Sequence, residues 1–346
     1  MDDVNIGNND LVLVSTQKLI FIRDVITKIG FSSKEVFKDF CFSDNYQNQL
    51  NNTASIATVK SVYENILGLN IQAAGLEIGQ HISTKHYGLY GCTMLCRETF
   101  EDTLLYCIKY HDLTTRTTEI YIDTSPDGNP MFCCKDLLEQ PNLLLFNLEL
   151  HICIHLALFR EFLGDPTFTP VRVYLEYTKP EYFSLYQDFF GCPVLFEQSF
   201  TGIEFTKEQF TLELPKHNPL AIPVLMKSCD VELQAYLKDN VLLQRVYHWV
   251  SENVHNQLLA EDLASFLCLT PRTLRRKLTS YETSFSKICT EIKCKFSKRY
   301  CIETTLSFDD IAISVGFNET ANFRRAFKTW TGLTPSEYKK KHQINK

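Results

Sequence analysis

The chain has no long unbroken apolar run, no Cys-x-x-Cys motif and no glycine-rich phosphate loop, and each absence removes a class of protein. Its most apolar stretch, residues 143–159, is interrupted by Asn147, Glu149 and two histidines, so no segment is expected to span a membrane. The acidic opening Met1-Asp2-Asp3 does not fit the basic start of a secretory signal peptide. A soluble cytoplasmic protein is therefore expected. The 13 cysteines are scattered, with only Cys133 and Cys134 adjacent. That pattern argues against a disulfide framework and predicts reduced, mostly buried small apolar residues. No Gly-x-Ser-x-Gly elbow or dense carboxylate cluster occurs either, so nucleotide hydrolysis and acyl transfer have no support and no cofactor is expected.

A net positive charge is also lacking, and the total of −6 argues against nucleic acid until it is divided by region. Residues 240–346 hold 17 Lys and Arg against 10 Asp and Glu, a balance of +7, which leaves 18 against 31, or −13, on residues 1–239. A basic carboxyl-terminal module would concentrate near DNA, while the acidic larger part would be repelled from it. At 346 residues the chain exceeds what one core usually serves, so two domains are expected, 1–238 and 239–346.

Apolar residues at three-to-four spacing predict helices over 16–29, 34–42, 57–67 and 100–111. From Thr115 the period becomes two, and the Pro126-Asp127-Gly128-Asn129-Pro130 turn predicts a hairpin leading into 131–134. A strongly apolar helix over 141–163 follows, closed by Gly164 and Pro166. Strands are then expected at 171–177, 194–198 and 202–205, with an aromatic helix at 181–190 and a last helix ending near Lys238. The fold class is an α+β amino-terminal regulatory domain followed by an all-α domain of two helix-turn-helix units joined by a long helix.

His151 and His155 stand four apart on a predicted helix, a spacing that could present two imidazoles to a metal. No Glu occupies the metalloprotease position between them and no third ligand is evident, so a packed pair without metal is the expectation. Cys92 and Cys96 read the same way. The aromatic residues of 100–210 could line a ligand cavity, but a core needs them first, and no effector-binding residue is assigned.

The last hundred residues contain a repeat. Asp262-Leu263-Ala264 matches Asp310-Ile311-Ala312, Leu267 matches Val315, Leu269 matches Phe317 and Thr270 matches Asn318, all 48 apart; Arg275-Arg276 then matches Arg324-Arg325 and Leu278 matches Phe327 at an offset of 49. The unit is helix, turn, helix, with a small Ala where the helices cross. The extra residue is expected at the start of the second helix, whose N-cap would be Asn318 beside Glu319, as Thr270 with Pro271 would cap the first copy. Leu274 with Leu278 and Phe323 with Phe327 would face the core. Arg272, Thr273, Arg275, Arg276, Thr320, Ala321, Asn322, Arg324 and Arg325 would then face outward as base-contacting candidates. Arg bonds guanine bidentately, Asn bonds adenine, and Thr or Ala touches a thymine methyl. Lys277, Lys287, Lys298, Arg299 and Lys328 are candidates for phosphate contact, several of them on the joining helix 285–302. Solvated surface arginines are the plain alternative, but the repeated position favours DNA contact.

These residues resemble the AraC/XylS family of transcription regulators. The resemblance rests on Ile311-Ala312, Gly316-Phe317-Asn318, Asn322-Phe323-Arg324-Arg325-Ala326-Phe327-Lys328 and Thr331-Gly332-Leu333-Thr334-Pro335-Ser336-Glu337-Tyr338. It implies sequence-specific binding of double-stranded promoter DNA and activation through RNA polymerase. Glu282 stands where the family has Gly, Lys293 where it favours Arg, Ser297 where it favours Ala, and Tyr300-Cys301 where it has two leucines. Gly75-Leu76-Glu77-Ile78-Gly79, Gly88-Leu89-Tyr90-Gly91 and residues 186–194 resemble the arabinose-binding-like sensor domain of one branch. That implies a small-molecule effector or homodimerisation; a ligand-independent regulator governed by a protein partner of the acidic domain is the alternative.

Overall fold

A helix that is apolar on every side must be surrounded by protein or lipid, and the 23-residue helix Pro141–Leu163 is surrounded by protein. Pro141 at its first position and Gly164 in the left-handed region (φ 65°) mark its ends, as their conformational preferences dictate. It is the one helix among the described residues with the length and hydropathy to cross a membrane, and most of it is buried in the core. The computed structural model describes residues 13–38, 40, 53–281 and 283–343. The chain divides into two units, Met1–Lys238 and Asp239–Lys346.

The first unit contains β1 (Leu13–Ser15), α1 (Gln17–Lys28), α2 (Ser33–Val36), β2 (Thr53–Ser55), α3 (Ile56–Leu67), α4 (Ala74–Gly79), α5 (Gly88–Cys96), α6 (Phe100–Lys109), β3 (Thr118–Thr124) and β4 (Pro130–Asp136). After α7, the apolar helix already given, come β5 (Arg172–Tyr174), α8 (Ser184–Phe190), β6 (Val194–Leu195), β7 (Thr201–Glu204) and α9 (Lys207–Phe210). β1 and β2 pair antiparallel, and the main sheet has five strands in the order β3-β4-β7-β5-β6, parallel only between β5 and β6. The expected hairpin is β3–β4, with Ile120 opposite Cys134. Side chains alternate across β4 as strand geometry requires. Phe132 and Cys134 join the main core, while Met131 and Cys133 pack with Tyr174 in a separate small cluster.

The aromatic wealth of this region is core. Phe159 of α7 lies 5.1, 5.4 and 5.7 Å, centroid to centroid, from Phe100, Phe132 and Phe205, within the range of favourable edge-to-face pairs. α4 approaches α7 through glycine. A Cβ on Gly75 would stand 2.7 Å from the Leu150 nitrogen, and one on Gly79 would stand 2.8 Å from the Leu150 carbonyl oxygen. The same crossing buries Glu149, whose carboxylate accepts the Gly75 amide at 2.9 Å, the Leu76 amide at 3.3 Å and the Tyr186 hydroxyl. Burial pushes this carboxyl upward, opposed by the hydrogen bonds it accepts.

His151 and His155 are buried on α7 and are held by neighbours. The His155 Nδ1 hydrogen goes to the His151 carbonyl at 2.7 Å, and His151 Nε2 lies 2.5 Å from Lys18 Nζ and 2.8 Å from Thr117 Oγ1. Of the twelve described cysteines six are buried, whereas Cys92 and Cys268 are exposed. The expected packed pair of Cys92 and Cys96 is therefore wrong for Cys92, which α5 turns outward.

The second unit contains α11 (Ala260–Phe266), α12 (Pro271–Ser280), α13 (Phe285–Glu303), α14 (Phe308–Ser314), α15 (Thr320–Thr331) and α16 (Pro335–Gln343), counting Ile222–Glu252 as α10. A helix ending near Lys238 was the expectation. Instead α10 continues through Asp239 to Glu252, because no Pro or Gly stands between 224 and 252 to stop it. The helix expected over 34–42 is the short α2, and Asp39, Cys41 and Phe42 lie outside the described residues.

Two outcomes follow. Gly75→Ala forces a methyl against backbone, and urea denaturation should show a loss of about 2 kcal/mol or more. His155 is lowered from 6.5 to about 4, chiefly by burial, so the unfolded chain binds a proton the folded one refuses. Stability from this residue is complete above pH 6.5 and falls as pH drops toward 4, by about 3 kcal/mol at that point. Replacing His155 with Gln should flatten the dependence of the urea midpoint on pH over that window.

Candidate nucleic-acid interface

In each copy of the repeat, apolar residues four apart set the rotation of the second helix. Leu274 and Leu278 of α12 are buried, as are Phe323 and Phe327 of α15. One turn of helix is 3.6 residues, so the intervening positions are carried to the opposite side. Arg272, Arg275 and Arg276 are exposed on α12, with Thr273 and Lys277 half-buried; Ala321, Asn322, Arg324, Arg325 and Lys328 are exposed on α15, with Thr320 half-buried. Among the described residues none of these arginines is in an ion pair with a carboxylate. Arg272, Thr273, Arg275 and Arg276 line a single open cleft of about 390 Å³ together with Thr279. Thr279 was not among the expected residues, although it stands four after Arg275 and seven after Arg272, on the same face.

The helix starts differ between copies. Thr270 caps α12, its hydroxyl accepting the Thr273 amide at 3.1 Å, with Pro271 at the first position. The expected cap Asn318 is corrected. The N-cap of α15 is Glu319, which makes no side-chain cap bond, and Asn318 lies in the turn. The inserted residue therefore lengthens the turn and leaves α15 in register with α12. Glu319 accepts the Asn322 amide at 3.1 Å, so this Asn side chain is held against its own helix. At the far end Gly332 takes the left-handed region (φ 74°), and Thr334 and Glu337 form a reciprocal cap on α16, at 2.8 and 3.3 Å.

Each turn bends through a left-handed residue at the same place. It is Gly316 (φ 71°) in the second copy and Cys268 (φ 55°) in the first. A Cβ on Gly316 would stand 2.6 Å from the Val254 carbonyl oxygen, so glycine is required there on two counts.

The joining helix α13 is about 28 Å long at roughly 1.5 Å per residue, with Ile288, Ile292 and Phe296 buried. It is less of a bare basic strut than expected. Lys287 is exposed, but Lys298 and Arg299 are half-buried. Lys293 turns inward, donating to the Gly316 carbonyl at 3.1 Å with its ammonium 4.9 Å from the Phe317 ring centroid, and burial lowers its pKa. Lysine thus ties α13 to the second turn where the family favours arginine. Ser297 is buried and donates to the Lys293 carbonyl at 2.6 Å, and the Tyr300 ring is tilted against Phe296 at 5.8 Å, beside the buried Cys301. Glu282 lies outside the described residues.

Two successive helix-turn-helix units with outward arginines suit a duplex, and known proteins agree. Residues 66–214 match the N-terminal arabinose-binding domain of AraC transcription regulators, and residues 263–341 match a helix-turn-helix domain. The chain belongs to the AraC family. The ornithine utilization regulator of Pseudomonas aeruginosa is 25% identical over 267 residues, 77% of this chain and 78% of that one. The transcriptional regulator AdiY of Escherichia coli K12 is 30% identical over 135 residues, 38% of this chain and 53% of its own. The solved structure of the transcriptional regulator CdpR from Pseudomonas aeruginosa is 18% identical with a TM-score of 0.47, covering 94% of this chain and 98% of that one. This AraC-family protein is a DNA-binding transcription regulator and not an enzyme.

Its first turn stores strain that the second does not. Cys268→Gly should raise the melting temperature, by about 1 kcal/mol of stability, because the left-handed conformation penalises a side chain. Gly316→Ala should lower it by more, the methyl meeting backbone as well; calorimetry on both variants checks the pair.

Proposed function

We propose that this AraC-family regulator reads a promoter by placing α12 and α15 in successive major grooves and activates transcription through RNA polymerase. The observation that carries the reading is the exposure of Arg275 and Arg276 on one helix and Arg324 and Arg325 on the other at matching positions, with Arg272 also exposed on the first, none with a carboxylate partner among the described residues. An arginine left in water gains nothing for the fold, whereas at a guanine edge it is worth about 1 to 3 kcal/mol of discrimination. Thr273, Thr320, Ala321 and Asn322 complete the base-facing set, and Lys277, Lys287, Lys298, Arg299 and Lys328 the phosphate-facing set. The amino-terminal domain, which matches an arabinose-binding domain, takes a small-molecule effector that sets DNA affinity. The protein works in the cytoplasm as a homodimer. Leu220, in the turn before α10, and Val224 and Val231 on α10, exposed at 87, 68 and 64%, are apolar surface of the kind a second copy would cover.

On an operator selected from random duplexes, Arg325→Ala should weaken specific binding by about 1 to 3 kcal/mol while leaving the melting curve unchanged. Lys287→Ala should instead weaken binding to every sequence and reduce the salt slope by about 1. An Arg325→Ala protein that binds the selected operator as tightly as its parent would overturn the assignment of α15 as a reading helix.

A further inference from the structure

Lys18 is the least expected residue in the first unit. It is 1% exposed, and a buried ammonium is expensive unless an anion stands beside it. Among the described residues no carboxylate pairs with it. Its Nζ lies 2.7 Å from the Thr115 carbonyl oxygen, 3.3 Å from Thr117 Oγ1 and 2.5 Å from His151 Nε2, a set that satisfies a neutral amine. Three more basic groups surround it. His151 and His155 come from α7, and His111 comes from the turn that follows α6, its Nε2 hydrogen bonded to the Thr118 carbonyl at 2.9 Å. The partners described for His155 and His111 occupy one ring nitrogen each, Nδ1 and Nε2. All four groups line one small cavity of about 20 Å³, whose other walls include Tyr87, Met94, Leu158 and Phe162. Among the described residues no Asp or Glu lines it. This basic hollow sits inside the half of the chain that carries −13.

We infer that this cavity is the effector site, and that it takes a small carboxylate whose head group pairs with Lys18 and whose short apolar or aromatic body lies against Met94, Leu158 and Phe162. The inference rests on the effector-controlled reading given above. Four basic groups without a counter-charge in the lining are complementary to one ligand class, an anion, and the largely apolar remainder of the wall disfavours a fully hydrated one such as phosphate. The space at hand is about that of one water-sized group. It admits one carboxylate oxygen beside Lys18, and the unbranched Met94 has to repack to admit the rest of the head group and a short tail.

Burial holds Lys18 well below its usual range and His111 and His151 below theirs; among the described residues Cys134 on β4 opposes the effect on Lys18, while His155 lies close enough to lower both other rings. The imidazoles are thus neutral near pH 7, the three uncharged partners of Lys18 Nζ suit an uncharged amine, and a bound carboxylate brings a proton with it, taken up by Lys18 or a facing imidazole. Each anion bound takes up one proton, so affinity falls about tenfold per pH unit on the alkaline side.

The test uses the full chain and a panel of acetate, butyrate, hexanoate and benzoate, each beside its amide, at constant ionic strength. Thermal shift and titration calorimetry in buffers of different ionisation enthalpy are the readouts. At least one carboxylate should raise the melting temperature where its amide does not, with uptake of about one proton per site. Lys18→Met should abolish that gain while leaving binding to the selected operator measurable without ligand. Leu158→Trp, which fills the cavity and spares every basic group, should abolish it too. The proton count on the unaltered protein decides the matter even if a variant fails to fold. Stabilisation by amides equal to that by acids, binding without proton uptake, or no response to any acid of the panel would each overturn the carboxylate site. Failure of the regulatory reading would show separately, as ligand binding that leaves operator affinity unchanged.

Discussion

Burial of two apolar pairs, Leu274 with Leu278 and Phe323 with Phe327, is the constraint on which the DNA-facing half depends. Full burial of one such side chain is worth about 1.5 to 3 kcal/mol, so each pair outweighs any preference of the arginines for one solvated position over another. The helix therefore turns until the pair is covered. The positions between and around the pair then have no choice but to face out, and they carry Arg275 and Arg276 in one copy and Arg324 and Arg325 in the other. The exposed face is in this sense a by-product of the core: among the described residues no ion pair holds the arginines outward.

The same constraint explains where the extra residue of the second copy went. Inserted within α15 it would rotate everything beyond it by about 100° and swing Phe327 toward water. Inserted in the turn it leaves the apolar pair in place, and a loop lengthened by one residue costs only a few tenths of a kcal/mol. The chain takes the second course. Glu319 serves as N-cap without a side-chain bond, and its carboxylate is free to engage Asn322. Lys293 then secures the longer turn by bonding the Gly316 carbonyl, a contact for which the first copy has no counterpart among the described hydrogen bonds.

Periodicity made the elements legible wherever one face was apolar and the ends were punctuated. The helix α7 begins and ends where Pro141 and Gly164 place it, and the hairpin turns where Asp127-Gly128 permits. What escaped notice lacked such punctuation. α10 runs on because nothing between its two halves breaks a helix, and α4 is only six residues long, too short for a helical period to register. Its role was nonetheless written in Gly75 and Gly79, which admit α7 at a distance no side chain would allow. The left-handed Cys268 could be found only by alignment with Gly316, since cysteine is no turn former. The outward positions of the arginines were legible because exposure follows from rotation. The inward course of Lys293 was not, because a lysine on a helix is compatible with either side.

Charge is partitioned at two scales, and the two do different work. Between the halves of the sequence, +7 against −13 favours approach of the carboxyl-terminal unit to a phosphate backbone and disfavours approach of the other, an effect that salt weakens over about 10 Å. Inside the acidic half basic groups gather instead, with Lys18, His111, His151 and His155 around one cavity. An acidic exterior slows the arrival of an anion, yet it cannot decide the equilibrium in a desolvated interior, where screening is weak and the nearest charges dominate. The exterior and the interior of this domain can therefore be tuned separately, the first for avoidance of DNA and the second for the anion proposed to enter it.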